Sequence, residues 1–120
     1  MPSKSRSRAA LGHILDNIRL ARELVAGTDA RSFVKDWRSF YAATRCLEII
    51  SEASRRLDAQ IKGRHAQVNW RDVAASGNVY RHGYEVVEPE QVWKTIVMSL
   101  PALEAAVVTE LGDGTDRQCS

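Results

Sequence analysis

Apolar residues return at every third or fourth position along most of this chain, and nowhere is there the sustained alternation of period two that a half-buried strand requires. Residues three and four apart share one face of a helix, so the pattern commits the chain to an all-α fold. A first helix is expected over residues 9–26, with Leu11, Ile14, Ile18, Ala21 and Val25 as its buried stripe and Gly27 as its stop. Thr28 or Asp29 can cap the next helix, which the periodicity carries from residue 30 to 58 with Phe33, Trp37, Phe40, Leu47, Ile50 and Leu57 inward. A rod of that length is ~43 Å long and needs partners of similar length. Gly63 breaks the pattern, residues 62–69 read as a loop, and Asn69 caps a short third helix over residues 70–81. Pro89 suits the first turn of a fourth helix, whose stripe is Val92, Ile96, Leu100, Leu103 and Val107. Pro101 should kink that helix, and Gly112-Asp113-Gly114 should end it. The expected architecture is an antiparallel four-helix bundle with a short third helix.

At 120 residues the chain has room for one core, so one fold carries the function. The division is a flexible basic N-terminus over 1–8, a helical domain over 9–111 and a polar tail over 112–120. Seventeen Lys and Arg against fifteen Asp and Glu exclude a polybasic clamp, although individual cations can still line a cleft. The charge-free stretch 95–103 is far short of the ~20 residues of a membrane span, and no apolar signal core follows the N-terminus. A cytoplasmic protein without a membrane partner is expected. Cys46 and Cys119 form neither a disulfide framework nor a metal motif, and both read as free thiols.

Chemistry-bearing side chains concentrate in one place, Asn78-Val79-Tyr80-Arg81-His82-Gly83-Tyr84. A guanidinium can hold a phosphodiester through paired N–H groups, and an imidazole can take or give a proton near neutral pH. At a helix end such a pair is more often a solvated or capping feature.

Three segments carry a family resemblance: Ala42-x-x-Arg45-x-Leu47-x-Ile49-Ile50-x-Glu52-Ala53; Val68-Asn69-Trp70-Arg71-Asp72-Val73; and Asn78-x-x-x-His82-Gly83-Tyr84 followed by Val92-Trp93-Lys94-Thr95-Ile96 and Leu100-Pro101. In this order they resemble the HepT-like ribonucleases of the HEPN superfamily. The resemblance implies a homodimer whose facing Arg-x(4–6)-His motifs form one composite site that cuts RNA without metal or other cofactor. It also implies a toxin of a toxin–antitoxin module, neutralised by a nucleotidyltransferase that attaches AMP to the motif's final Tyr. His82 and Tyr84 match that motif. Its Arg should stand at 75, 76 or 77, where this chain has Ala75, Ser76 and Gly77.

Arg71 lies eleven positions before His82, ~16 Å along an ideal helix, too far to share its phosphate within one chain. Arg81, adjacent to His82, is the substitute if a kink at Gly77 or a loop conformation brings both to one cleft. On that basis His82 and Arg81 are the candidate catalytic residues and Tyr84 the AMP acceptor, with Asn78, Tyr80, Arg71, Arg45 and Glu52 as auxiliary RNA contacts. The alternative is a catalytically inactive HEPN dimer serving as a binding subunit of the nucleotidyltransferase.

Other residues have plainer readings. Arg38, Arg45 and Glu52 recur every seven positions, which suits a structural ion-pair seam or dimer contact; Arg45 as a phosphate contact oriented by Glu52 is its functional reading. Glu48 and Glu52 are one turn apart but lack further ligands at metal spacing. His13 and His65 are expected to be exposed. Trp37, Trp70 and Trp93 fall on apolar helical positions and are expected in the core, while Tyr80 suits packing or RNA stacking equally.

Overall fold

The structure, a computed structural model, describes the backbone of residues 4–75 and 89–119, and side-chain surroundings for 6–75 and 89–112. The first stripe folds as its spacing dictates: α1 spans Lys4–Val25, starting ahead of the expected residue 9, and buries Leu11, Ile14, Ile18 and Ala21. Gly27 ends it with φ +75°, a left-handed conformation open to glycine without Cβ strain. Asp29 then caps α2 (Ala30–Lys35), its carboxylate accepting from Ser32 N at 2.8 Å.

The expected rod over 30–58 is broken. Asp36 takes an extended conformation, closes α2 and caps α3 (Trp37–Ser54), accepting from Ser39 N at 3.3 Å and Ser39 Oγ at 2.8 Å. A short carboxylate that satisfies the first N–H groups of a new helix competes with helix continuation, and here it wins. The break changes the phase of the helical pattern beyond it. Phe33 stays buried, but Trp37, which an unbroken helix would place one turn on along the same face, is 62% exposed. Trp37 is therefore not a core residue. On the far side of the break α3 buries Ala43, Cys46, Leu47, Ile50 and Ala53.

Residues 62–69 are not wholly a loop either, since α4 (Ala59–Arg64) contains Gly63. Its cap is Asp58, which accepts from Ile61 N at 2.9 Å, and burial of Ile61 offsets the modest cost of a helical glycine. Helix α5 includes 70–75 and is capped by Asn69 as expected, with Asp72 N donating to its side chain at 3.1 Å; its expected end at 81 lies outside the described residues. Pro89 opens α6 (Pro89–Lys94), which continues through a π turn (Thr95–Ser99) into α7 (Leu100–Cys119). The irregularity expected at Pro101 takes this form. Leu100 N–H reaches back five residues to Thr95 O, and the widened turn lies directly ahead of the residue that has no N–H to give. The helix does not stop at Gly112 but runs on to Cys119, because Gly112 stays out of the left-handed region that would end it.

Segment 89–112 is long and apolar enough to cross a membrane by length and composition, a property the charge-free stretch 95–103 alone does not reveal. Its stripe Val92, Ile96, Leu100, Leu103 and Val107 is buried against the other helices, which fits a bundle helix. The core thus lies between α1, α3 and α6–α7, each fully buried aliphatic side chain contributing ~1.5–3 kcal/mol. Glu104 of α7 ties to α1 through Arg22 and through Arg19 Nε at 3.5 Å.

Candidate active site and its frame

Asn78, Tyr80, Arg81, His82 and Tyr84 lie outside the described residues; what the structure shows is how the chain is held on either side of them. Upstream, the described part of α5 is held at two points. Trp70 Nε1 donates to the His65 carbonyl at 3.0 Å, which anchors its first residue. Further along, the Ala74 carbonyl accepts from Ser51 Oγ at 2.6 Å and from Arg55 Nη2 at 2.7 Å, both on the α3 side. Downstream, Phe33 packs its ring 5.7 Å from that of Trp93, so α6 rests on α2.

The turn at His65 is itself clamped. Glu110 on α7 accepts from Arg64 Nε at 3.0 Å and Nη2 at 2.7 Å, and lies 2.6 Å from His65 Nε2. His65, expected to be exposed, is 8% exposed. The reason is a contact across 45 positions, which no local spacing announces. Hydrogen bonds from Arg64 hold the Glu110 carboxyl below its ordinary pKa; desolvation opposes them and His65 adds to them. The clamp holds the start of α5, and α5 leads into the residue cluster.

A cavity of about 530 Å³ lies between α3, residues 67–73 and the α6–α7 helix. Leu47, Ile50, Val68 and Leu103 supply apolar walls and Gln67, Asn69, Asp72, Gln91 and Thr95 hydrogen-bonding groups, with no basic residue among the described ones. That lining suits side chains better than a phosphate.

The auxiliary residues separate. Arg71 is exposed on α5. Arg45 pairs with Glu48 at 3.3 Å and Glu52 with Arg56 at 3.7 Å, so Glu48 rather than Glu52 is the carboxylate shown on Arg45. With His13 these residues line a recess of about 130 Å³ between α1 and α3. Two guanidinium–carboxylate pairs follow one another there, the pattern of an ion-pair seam; His13 is exposed as expected but faces this seam. Among the described residues no group of three His, Cys, Asp or Glu could hold a metal ion. Trp70 and Trp93 are partly buried against the core, as expected.

An all-α bundle of the HEPN type, with Arg81-His82-Gly83-Tyr84 following α5 in the sequence, is the class that fold and sequence define. Residues 14–109 match the family described as ribonuclease HepT-like, and the chain belongs to that family. It is 35% identical over 100 residues to a protein of Caldanaerobacter subterraneus subsp. tengcongensis provisionally named an RNase, covering 83% of this chain and 89% of that one. A protein of Thermococcus cleftensis provisionally named ribonuclease HepT is 31% identical over 94 residues, covering 78% and 86%. A third, from Methanocaldococcus jannaschii and again provisionally named an RNase, is 28% identical over 88% of this chain and 96% of its own. No solved structure matches significantly.

Proposed function

We propose that the protein is a metal-independent endoribonuclease toxin, acting in the cytoplasm as a homodimer and neutralised by a nucleotidyltransferase antitoxin. The observation that carries this is His82-Gly83-Tyr84 in a chain of a ribonuclease family, following in sequence a helix held at Ala74 by Ser51 and Arg55. His82 removes the proton of a ribose 2′-OH, whose oxygen attacks the adjacent phosphorus. The P–O5′ bond breaks, His82 of the second copy protonates the leaving 5′ oxygen, and a 2′,3′-cyclic phosphate remains. Arg81 balances the charge that builds on the phosphorane oxygens.

An unpartnered apolar face supports the dimer. Val97, Met98 and Val108 are exposed on the α6–α7 helix, with Pro101, Ala102 and Ala105 between them and Met98 74% exposed. Charge-free helix faces of this kind are commonly covered by a symmetric copy. Tyr84 is the site at which the antitoxin transfers AMP from ATP: the phenol oxygen bonds the α-phosphorus and pyrophosphate leaves.

Expression of the chain should arrest growth, and a nucleotidyltransferase encoded beside it should relieve the arrest and add one AMP to Tyr84. Growth indifferent to expression, with no cleavage of RNA by pure protein, overturns the toxin reading. One observation favours a second reading: Ala75, Ser76 and Gly77 fill every position open to the motif Arg. On that reading the dimer binds the nucleotidyltransferase without cutting RNA, and pure protein forms the complex but leaves RNA intact.

A further inference from the structure

The phase change at Asp36 turns aromatic side chains toward solvent where the sequence pattern alone would bury one of them. Trp37 is 62% exposed and Tyr41, one turn on, is 65% exposed. Their rings meet edge to face at 5.8 Å and 78°, and Phe40 supports Tyr41 at 5.7 Å. The Arg38 guanidinium lies 5.4 Å from the centre of the Trp37 ring. Arg45, a turn beyond Tyr41, is exposed and continues the strip. From Trp37 to Arg45 is ~12 Å of helix, about three stacked nucleotides at ~3.4 Å per phosphate.

Charge selects among occupants. Between residues 30 and 48 stand Arg31, Lys35, Arg38 and Arg45 against two carboxylates, Asp36, which already accepts from Ser39, and Glu48, which pairs with Arg45 at 3.3 Å, so cations remain in excess. A peptide needing an apolar groove gains little from a small exposed aromatic cluster edged with cations. A single-stranded polynucleotide offers flat bases for the rings and phosphates for the guanidiniums. We propose that Trp37 and Tyr41, with Arg38 and Arg45, form a stacking platform for single-stranded RNA, outside the His82 segment. The ligand class rests on the ribonuclease reading.

The test separates binding from cutting. The probe is a fluorescently labelled oligouridylate with 2′-O-methyl groups, which offers no nucleophile, and its affinity for the full chain is read by anisotropy. Trp37→Ala and Tyr41→Ala should each weaken binding about tenfold, within the range for losing one stacked base, while Trp37→Phe stays close to wild type. Replacing Arg38 by Ala should lower the slope of log affinity against log salt by about 0.7, the loss of one phosphate contact. Circular dichroism should show all four variants folded, since the altered side chains are exposed. The same affinity in wild type, Trp37→Ala and Tyr41→Ala, or no binding by wild type, overturns the platform. Dissociation of the dimer by Trp37→Ala also overturns it, by making this face an interface between copies. Platform-dependent binding without any RNA cleavage would leave the inference standing and sink the nuclease reading instead.

Discussion

Replacing Glu110 by Ala should destabilise the protein by about 2–3 kcal/mol. Three contacts are lost at once: two hydrogen bonds from Arg64, at 2.7 and 3.0 Å, and the 2.6 Å contact with His65. Arg64 is half exposed and regains water, so its share is small; His65 and Glu110 are nearly covered, and the imidazole left without its carboxylate accounts for most of the cost. For a domain of this size that is a fall in Tm of about 10 °C. Glu110→Gln keeps the shape and an acceptor but not the charge, and should cost about 1–2 kcal/mol. The pH dependence has a definite sign. The Glu110 carboxyl is depressed in the folded protein, so the unfolded chain binds the proton first. Its stabilisation is complete above the ordinary carboxylate range and is lost as pH falls through the lower folded value. Urea unfolding followed by circular dichroism between pH 3 and 7 should show the gap between wild type and Glu110→Gln closing toward the acid end. A loss below about 0.5 kcal/mol for Glu110→Ala at pH 7, or a gap independent of pH, would refute the clamp.

Phe33 and Trp37 make a matched pair: Phe33→Ala should cost about 3–5 kcal/mol of unfolding free energy, whereas Trp37→Ala should change it by less than about 0.5 kcal/mol. Equal losses in urea titrations would contradict the break at Asp36. Burial pushes the Cys46 thiol above its ordinary pKa, so alkylation near pH 8 followed by peptide mapping should leave Cys46 unmodified until denaturant is added. Met98→Glu should yield folded monomers by sedimentation if the α6–α7 face joins two copies; an unchanged dimer moves the interface elsewhere.

The sequence made the helices legible where one face of regular spacing met the core. The stripes of α1 and of α6–α7 are buried nearly as their spacing requires, and Gly27, Asp29, Asn69 and Pro89 mark the boundaries expected of them. Errors arose where a polar side chain overruled a continuing apolar pattern. Asp36 and Asp58 each start a helix by capping it, and a period count over Phe33, Trp37 and Leu57 passes over both. The His65–Glu110 contact was not legible because it depends on tertiary approach. For the candidate site, residue types pointed to phosphate chemistry and the family resemblance supplied the roles. The structure adds the frame: α5 held by His65, Ser51 and Arg55.

If His82 cuts RNA by internal transesterification, the ends of the products record it. Purified protein is incubated with RNA in EDTA and the product ends are analysed. The expected result is 2′,3′-cyclic phosphate and 5′-hydroxyl ends that disappear in His82→Ala. Intact RNA, products with 3′-hydroxyl ends, or cleavage that survives His82→Ala would contradict the mechanism.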